Sequence, residues 1–177
     1  GDVATILNAI EQSNVKIEKI LLTHGHIDHA GGAAELREAL GVQIEGPHKD
    51  DLFLLKDLPM SGAKFGMADS RSVVPDRWLN DGDDVEFAGL KFTALHAPGH
   101  SPGSVVFSND ENRFALMGDV LFQGSVGRTD FPYGSHDTLI ASIKNKILPL
   151  GDDVVFLPGH GNPSQIGHAR KTNTFIA

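Results

Sequence analysis

Apolar residues near the start of the chain recur at three- and four-residue intervals. Val3, Ile6, Leu7 and Ile10 fall on one face, so residues 2–13 read as an amphipathic helix. The period then changes. Residues 16–23 carry Ile17, Ile20, Leu21 and Leu22 and read as a strand, followed by a polar loop over 24–32. Residues 33–40 return to helical spacing and stop at Gly41, which tolerates the left-handed cap position. A short strand over 42–45 follows. Residues 47–83 show no sustained period and carry Pro47, Pro59 and Pro75. They read as irregular, a long loop or short helices, and connections of this length are often functional. After the turn at Asp81-Gly82-Asp83, the spans 85–87 and 90–95 form a hairpin around Ala88-Gly89. The spans 104–107 and 113–117 form a second hairpin. Residues 135–147 are a helix with Leu139, Ile140, Ile143 and Ile147 on one face and Ser135 at its start. A strand over 154–157 and a helix over 164–175 close the chain. There are no repeats. The reading is α/β (α+β), one domain spanning 1–177, with helices laid against sheet.

Composition removes several function classes. The 177 residues carry a formal net charge of −8 and no basic stretch beyond Arg170-Lys171, so nucleic acid is not the expected partner. No apolar run reaches membrane-spanning length, so no membrane partner is expected either. There is no cysteine, hence no disulfide, thiol nucleophile or thiolate ligand. This fits a reducing compartment, and a cytoplasmic location is the expectation. The chain begins at Gly1 rather than Met, so the missing signal peptide is uninformative.

Nine histidines change the picture more than the charge does. Short apolar runs repeatedly end in a ligand-type residue. Ile20-Leu21-Leu22-Thr23 leads to His24, Leu95 leads through Pro98-Gly99 to His100, Ala115-Leu116-Met117-Gly118 leads to Asp119, and Val155-Phe156-Leu157-Pro158-Gly159 leads to His160. Strand ends deliver side chains to one sheet edge, where sites form in layered α/β folds. Imidazole and carboxylate suit zinc, iron or manganese. His24 and His26 can chelate one ion from alternate positions, and Asp28 with His29 points to a second. Seven donors suit two ions sharing a carboxylate. His48, His96, His136 and His168 lack such a setting and read as structural.

These residues carry a resemblance. Thr23-His24-Gly25-His26-Ile27-Asp28-His29-Ala30-Gly31-Gly32 resembles the H-x-H-x-D-H signature of the metallo-β-lactamase superfamily. Pro98-Gly99-His100, Gly118-Asp119 and Pro158-Gly159-His160-Gly161 are similar to its later motifs, with order and spacing agreeing over about residues 17–163. The resemblance implies an αββα sandwich. In it, His24, His26 and His100 hold one cation, Asp28, His29 and His160 the other, and Asp119 bridges them. Asp28 and Asp119 are the carboxylates at the reaction centre. Two divalent cations are implied, zinc first, with iron and manganese compatible. The family's opening strands would precede a helix such as 2–13, so this chain is expected to lack them.

Within the superfamily, β-lactamases usually place Cys or Ser where Asp119 stands, and flavodiiron proteins place Glu where His26 stands. The segment Gly124–Phe131 and the end of the chain resemble glyoxalase II-like enzymes (hydroxyacylglutathione hydrolases) of the short single-domain bacterial type. That implies hydrolysis of a small acidic thioester such as S-lactoylglutathione by a metal-activated hydroxide. Longer members hold glutathione with a C-terminal helical domain, which has no counterpart after His160 here. The alternatives are a mononuclear iron persulfide dioxygenase, which shares the Gly127–Phe131 motif, and a metal-binding domain without activity. Arg128 is the candidate to bind an acidic substrate through its guanidinium; the competing reading is a clamp onto Asp130. Phe53, Phe65, Met67 and Trp78 are aromatic and Met candidates for a cleft wall, a role that core packing competes with.

Overall fold

Period-two alternation along neighbouring strands decides the architecture. The computed structural model describes residues 2–176. Strands β3 (Asp84–Phe87), β4 (Leu90–His96), β5 (Val105–Asn109), β6 (Phe114–Gly118), β9 (Val155–Pro158) and β10 (Ser164–Gln165) form one sheet, in the order β10-β9-β6-β5-β4-β3. In β6, Ala115 and Met117 join a core cluster with Leu139, Ile143, Ile147 and Ile166, while Phe114 and Leu116 face the opposite cluster with Phe92 and Phe107. Both faces of this sheet are therefore covered, which successive Cβ atoms pointing to opposite sides make possible.

One face packs on helices α5 (His136–Ser142) and α6 (Ile166–Thr172). The other meets a two-stranded parallel sheet of β1 (Lys19–Leu21) and β2 (Gln43–Glu45), through Leu21. Behind that small sheet, Leu22 and Ile44 pack with Ala33 and Ala34 of helix α3 (Ala33–Leu40) and with Leu55 and Leu58 of helix α4 (Leu52–Phe65). Helix α1 (Val3–Ser13) contacts α3, and its start is capped by Asp2, whose Oδ1 accepts the Thr5 N–H at 3.0 Å. The layers are helix, sheet, sheet, helix, as the resemblance implied.

Several expected elements change. The strand over 16–23 contracts to β1, because only three residues find a partner in β2. The loop over 24–32 contains a helical turn, α2 (Ile27–Ala30). The segment 47–83 is not irregular throughout, since its first half is the 14-residue helix α4 with Pro59 inside it. Proline has no N–H, so it leaves the Leu55 carbonyl without its helical donor. The Val73 N–H supplies the missing bond at 3.2 Å. The helix expected over 135–147 is α5 followed by a π-helical turn, Ile143–Ile147. The helix expected over 164–175 begins as β10 and becomes α6. A small hairpin of β7 (Leu121–Phe122) and β8 (Ser125–Val126) was not foreseen; Gly124 turns it at a φ of 74°. No helix among the described residues is long and apolar enough to cross a membrane.

Phe107 is fully buried in β5, where the two sheets meet. Phe107→Ala is expected to lower the unfolding free energy by about 3–5 kcal/mol, read by chemical denaturation.

Candidate metal centre

Strands β4, β6 and β9 run in one direction, since β4 and β6 are each antiparallel to β5 and β6 is parallel to β9. They end on the same edge. His100 follows β4, Asp119 follows β6 and His160 follows β9. The end of β1 is drawn to this edge as well, where the Thr23 carbonyl accepts the Val105 N–H at 2.8 Å. His24 is the next residue. His26 sits at the N-terminal cap position of α2, which carries Asp28 and His29.

The structure brings all seven predicted residues together. His26 Nδ1 lies 2.9 Å from His100 Nε2, which lies 3.2 Å from His24 Nε2. A second group forms beside it, with His160 Nε2 3.1 Å from Asp28 Oδ2 and 3.3 Å from His29 Nε2. Asp119 stands between the groups. Its Oδ1 is 3.4 Å from His29 Nε2, and its Oδ2 is 3.5 Å from His100 Nε2 and 3.6 Å from His160 Nε2.

Burial keeps the first group neutral. It holds His24 well below the usual imidazole range, reinforced by His29 and His100, and it holds His26 at about 4, reinforced by His100. His100 is lowered for the same first cause. Its Nδ1–H donates to the Arg128 carbonyl at 2.8 Å, which leaves the Nε2 lone pair facing its neighbours. Burial pushes Asp119 upward, but His29, His100 and His160 together outweigh it and hold the carboxyl below its ordinary value.

Two observations test whether cations fit here. Buried Asp119 Oδ1 has no hydrogen-bond partner, because the nearby His29 nitrogen approaches without bonding geometry. Gly159 lines this spot, and a Cβ there would collide with Asp119 Oδ1 and His29. Neutral imidazole lone pairs and a carboxylate converging on one another without donors match the nitrogen and oxygen preference of divalent transition metals.

The sequence reading missed Asp51. Its carboxylate is fully buried and accepts from Gly25 N at 2.8 Å, Ser101 Oγ at 2.8 Å and Gly103 N at 2.6 Å. One side chain thus ties the loop of His24 and His26 to the loop of His100. Burial pushes the carboxyl above its ordinary value even against these three donors. In the sequence, Asp51 lies inside the span 47–83 that read as irregular, with no ligand-type motif around it.

A cleft of about 1110 Å³ opens onto the centre, with Phe53, Phe65, Met67, Phe131 and Tyr133 among its walls. Trp78 is not part of it and packs on the Leu22–Ile44 core. Arg128 lines the cleft, but its Nε and Nη2 bond Asp130 at 2.7 and 2.6 Å, and the guanidinium lies 4.1 Å from the Phe131 ring centre. Elsewhere His48 and His96 stack at 4.0 Å with an 18° interplanar angle, near Asp50. Near-parallel rings cannot aim in-plane lone pairs at one ion, and His96 Nε2 is spent on the Pro102 carbonyl at 2.8 Å. That pair is structural, as expected. His136 and His168 lie on α5 and α6, outside the donor groups.

The model of the metallo-beta-lactamase superfamily matches residues 1–160. The chain is 42% identical to hydroxyacylglutathione hydrolase GloC of Haemophilus influenzae, covering 99% of this chain and 84% of that protein. Among solved structures it is similar to BLEG-1 B3 metallo-beta-lactamase, with a TM-score of 0.90 and 33% identity. It is also similar to TTHA1623 in a di-iron-bound form, with a TM-score of 0.89 and 36% identity. Each alignment covers 99% of this chain and 85% of the other.

Replacing Asp51 strands two backbone N–H groups and a hydroxyl. Asp51→Ala is expected to lower stability by about 2–4 kcal/mol in denaturant titrations. It is also expected to reduce metal retained after dialysis, read by elemental analysis. Unchanged stability together with unchanged metal content would refute the tie between the two loops.

Proposed function

Because the chain belongs to the metallo-beta-lactamase superfamily, we propose that it is a binuclear metallo-hydrolase that cleaves a small acidic thioester, as hydroxyacylglutathione hydrolases do. The observation that carries this reading is Asp119, placed between two complete donor groups at the mouth of an apolar cleft. His24, His26 and His100 would hold one divalent cation, Asp28, His29 and His160 the other, and Asp119 both. Such a pair of cations lowers the pKa of water toward neutrality and polarises a carbonyl oxygen.

The chain's own residues do the rest. Asp51 holds the loops that carry His26 and His100, and the Arg128 carbonyl fixes the His100 ring, so the donors are positioned before substrate arrives. The cleft walls exclude bulk water and align the thioester. A thiolate is a good leaving group, so departure asks little of a general acid. Asp28, at the cleft surface, is the second carboxylate at the reaction centre. GloC is the nearest in identity of the relatives described above, and its name states the activity proposed here. The similarity to a di-iron form of TTHA1623 supports a two-cation centre, with zinc our first choice of metal and iron and manganese compatible. The substrate is a small molecule, and the enzyme is read as cytoplasmic. Both donor groups being complete supports the hydrolase over a mononuclear dioxygenase.

Arg128 we read as a clamp. Asp130 occupies its guanidinium, so an arriving carboxylate would have to displace an existing bidentate pair.

Elemental analysis combined with assays on S-lactoylglutathione tests the function. Two metal equivalents are expected, with hydrolysis that a chelator abolishes. One iron with oxygen uptake on glutathione persulfide would move the assignment to the dioxygenase, and turnover of a β-lactam alone would move it toward BLEG-1. For Arg128→Ala, KM changed less than about threefold is expected, with the melting temperature lowered by no more than about 4 °C because the pair is exposed. A large rise in KM at unchanged melting temperature would restore the substrate-binding role.

A further inference from the structure

The cleft wall opposite the Phe131–Tyr133 loop is a single helix, and its exposed charges are unused by the chemistry above. Helix α4 runs alongside the ligand loop. A Cβ at Gly25 would touch Leu54 near one end of the helix, and a Cβ at Gly31 would touch Met67 just past the other. Three polar residues of α4 line the cleft, Asp57, Ser61 and Lys64. Their spacing of four and three residues puts them in one stripe. Phe53 and Phe65 flank the stripe, and Phe53 meets Tyr133 edge-on at 4.9 Å across the cleft.

Two cationic side chains line this cleft, Lys64 and Arg128. Arg128 is neutralised by Asp130. Lys64 makes no hydrogen bond or ion pair among the described residues. It therefore offers the available positive charge on a chain of net charge −8. Asp57 accepts a hydrogen bond from Ser61 Oγ at 2.9 Å through Oδ2 and carries its negative charge two helical turns before Lys64. Seven residues of α-helix rise about 10 Å. An extended tripeptide spans about the same length.

We propose that this stripe receives the thiol half of the substrate. Lys64 takes a carboxylate, Asp57 takes an ammonium, and the ligand is a zwitterionic thiol of tripeptide size whose sulfur faces the metal centre. This rests on the thioester-hydrolase reading, in which the thiol is of glutathione type, and adds to it the residues of this chain that hold that half. It gives the cleft a glutathione-type grip made from helix α4, which packs against the ligand loop. The apolar flanks at Phe53 and Phe65 cover the aliphatic parts of the ligand, and they leave the charged ends to the helix.

The test is calorimetric binding of S-hexylglutathione, a thioether that cannot be hydrolysed, to the metal-loaded protein. Lys64 is exposed, so Lys64→Glu should fold normally, and its melting temperature checks this. Binding is expected to weaken roughly five- to tenfold for Lys64→Glu and to weaken with added salt, as a screened exposed pair does. Asp57→Lys should weaken it similarly. In kinetics, Lys64→Glu should raise KM for S-lactoylglutathione by the same factor and leave kcat within about twofold. The uncharged S-lactoyl-N-acetylcysteamine thioester should be unaffected. No binding by the unaltered protein, equal binding by the variants, or equal effects on both thioesters would each overturn the proposal. Lys64-dependent binding without hydrolysis of either thioester would uphold the stripe and sink the hydrolase reading instead.

Discussion

A buried carboxylate must find donors, and Asp51 finds them in the two loops that carry His24, His26 and His100. This constraint sits beneath the whole centre. Imidazoles crowded within about 3 Å of one another, with burial disfavouring their charged forms, have no reason to converge unless the backbone holds them there. Gly25 and Gly103 are glycines for a matching reason. A Cβ at either position would press on Asp51, so the close approach that makes the bonds short also excludes a side chain. The His100 ring is then locked from its other edge by the Arg128 carbonyl. The Arg128–Asp130 pair thus shapes a loop whose backbone, not its guanidinium, touches the centre.

The sheet supplies the second constraint. Three strands that run in one direction, β4 across the antiparallel β5 from β6 and β9 directly beside β6, release His100, Asp119 and His160 at a common edge, and the β1 end is pinned there through Thr23. Gly159 N–H donates to the Gly118 carbonyl at 2.8 Å, which sets His160 against Asp119. The donor groups are a consequence of strand direction, and the two core clusters on either side of the large sheet keep that direction fixed.

Much of this was legible in the sequence because its signals are local. Alternation along 85–95 and 104–117 gives both hairpins, and a ligand-type residue directly after an apolar run gives the edge. Ser135 caps α5 and Gly41 closes α3 as read. What failed depended on distant partners. Pro59 argued against α4, and only Val73, far along the chain, repairs the bond that Pro59 removes. The ends of β1 and the β10 pairing are set by neighbours in space. Asp51 showed no local sign of burial, and its role appears only when Ser101 and Gly103 are folded against it. Arg128 was readable both ways, since its partner lies two residues off and a solvent-facing ligand role used the same chemistry.

The electrostatics of the cleft follow from where charge is already spent. An acidic small molecule approaching a chain of net charge −8 meets repulsion at long range. Specific binding then needs a cation that is exposed, close to the reaction centre and not already satisfied. Arg128 meets the first two conditions and fails the third. Placing the substrate's anionic end on α4 lets the loop clamp and the substrate contact rest on different cations. The side chain that positions His100 through its own backbone then need not let go of Asp130 when a ligand arrives. A guanidinium asked to do both would couple substrate binding to movement of a centre that Asp51 and the sheet edge hold rigid.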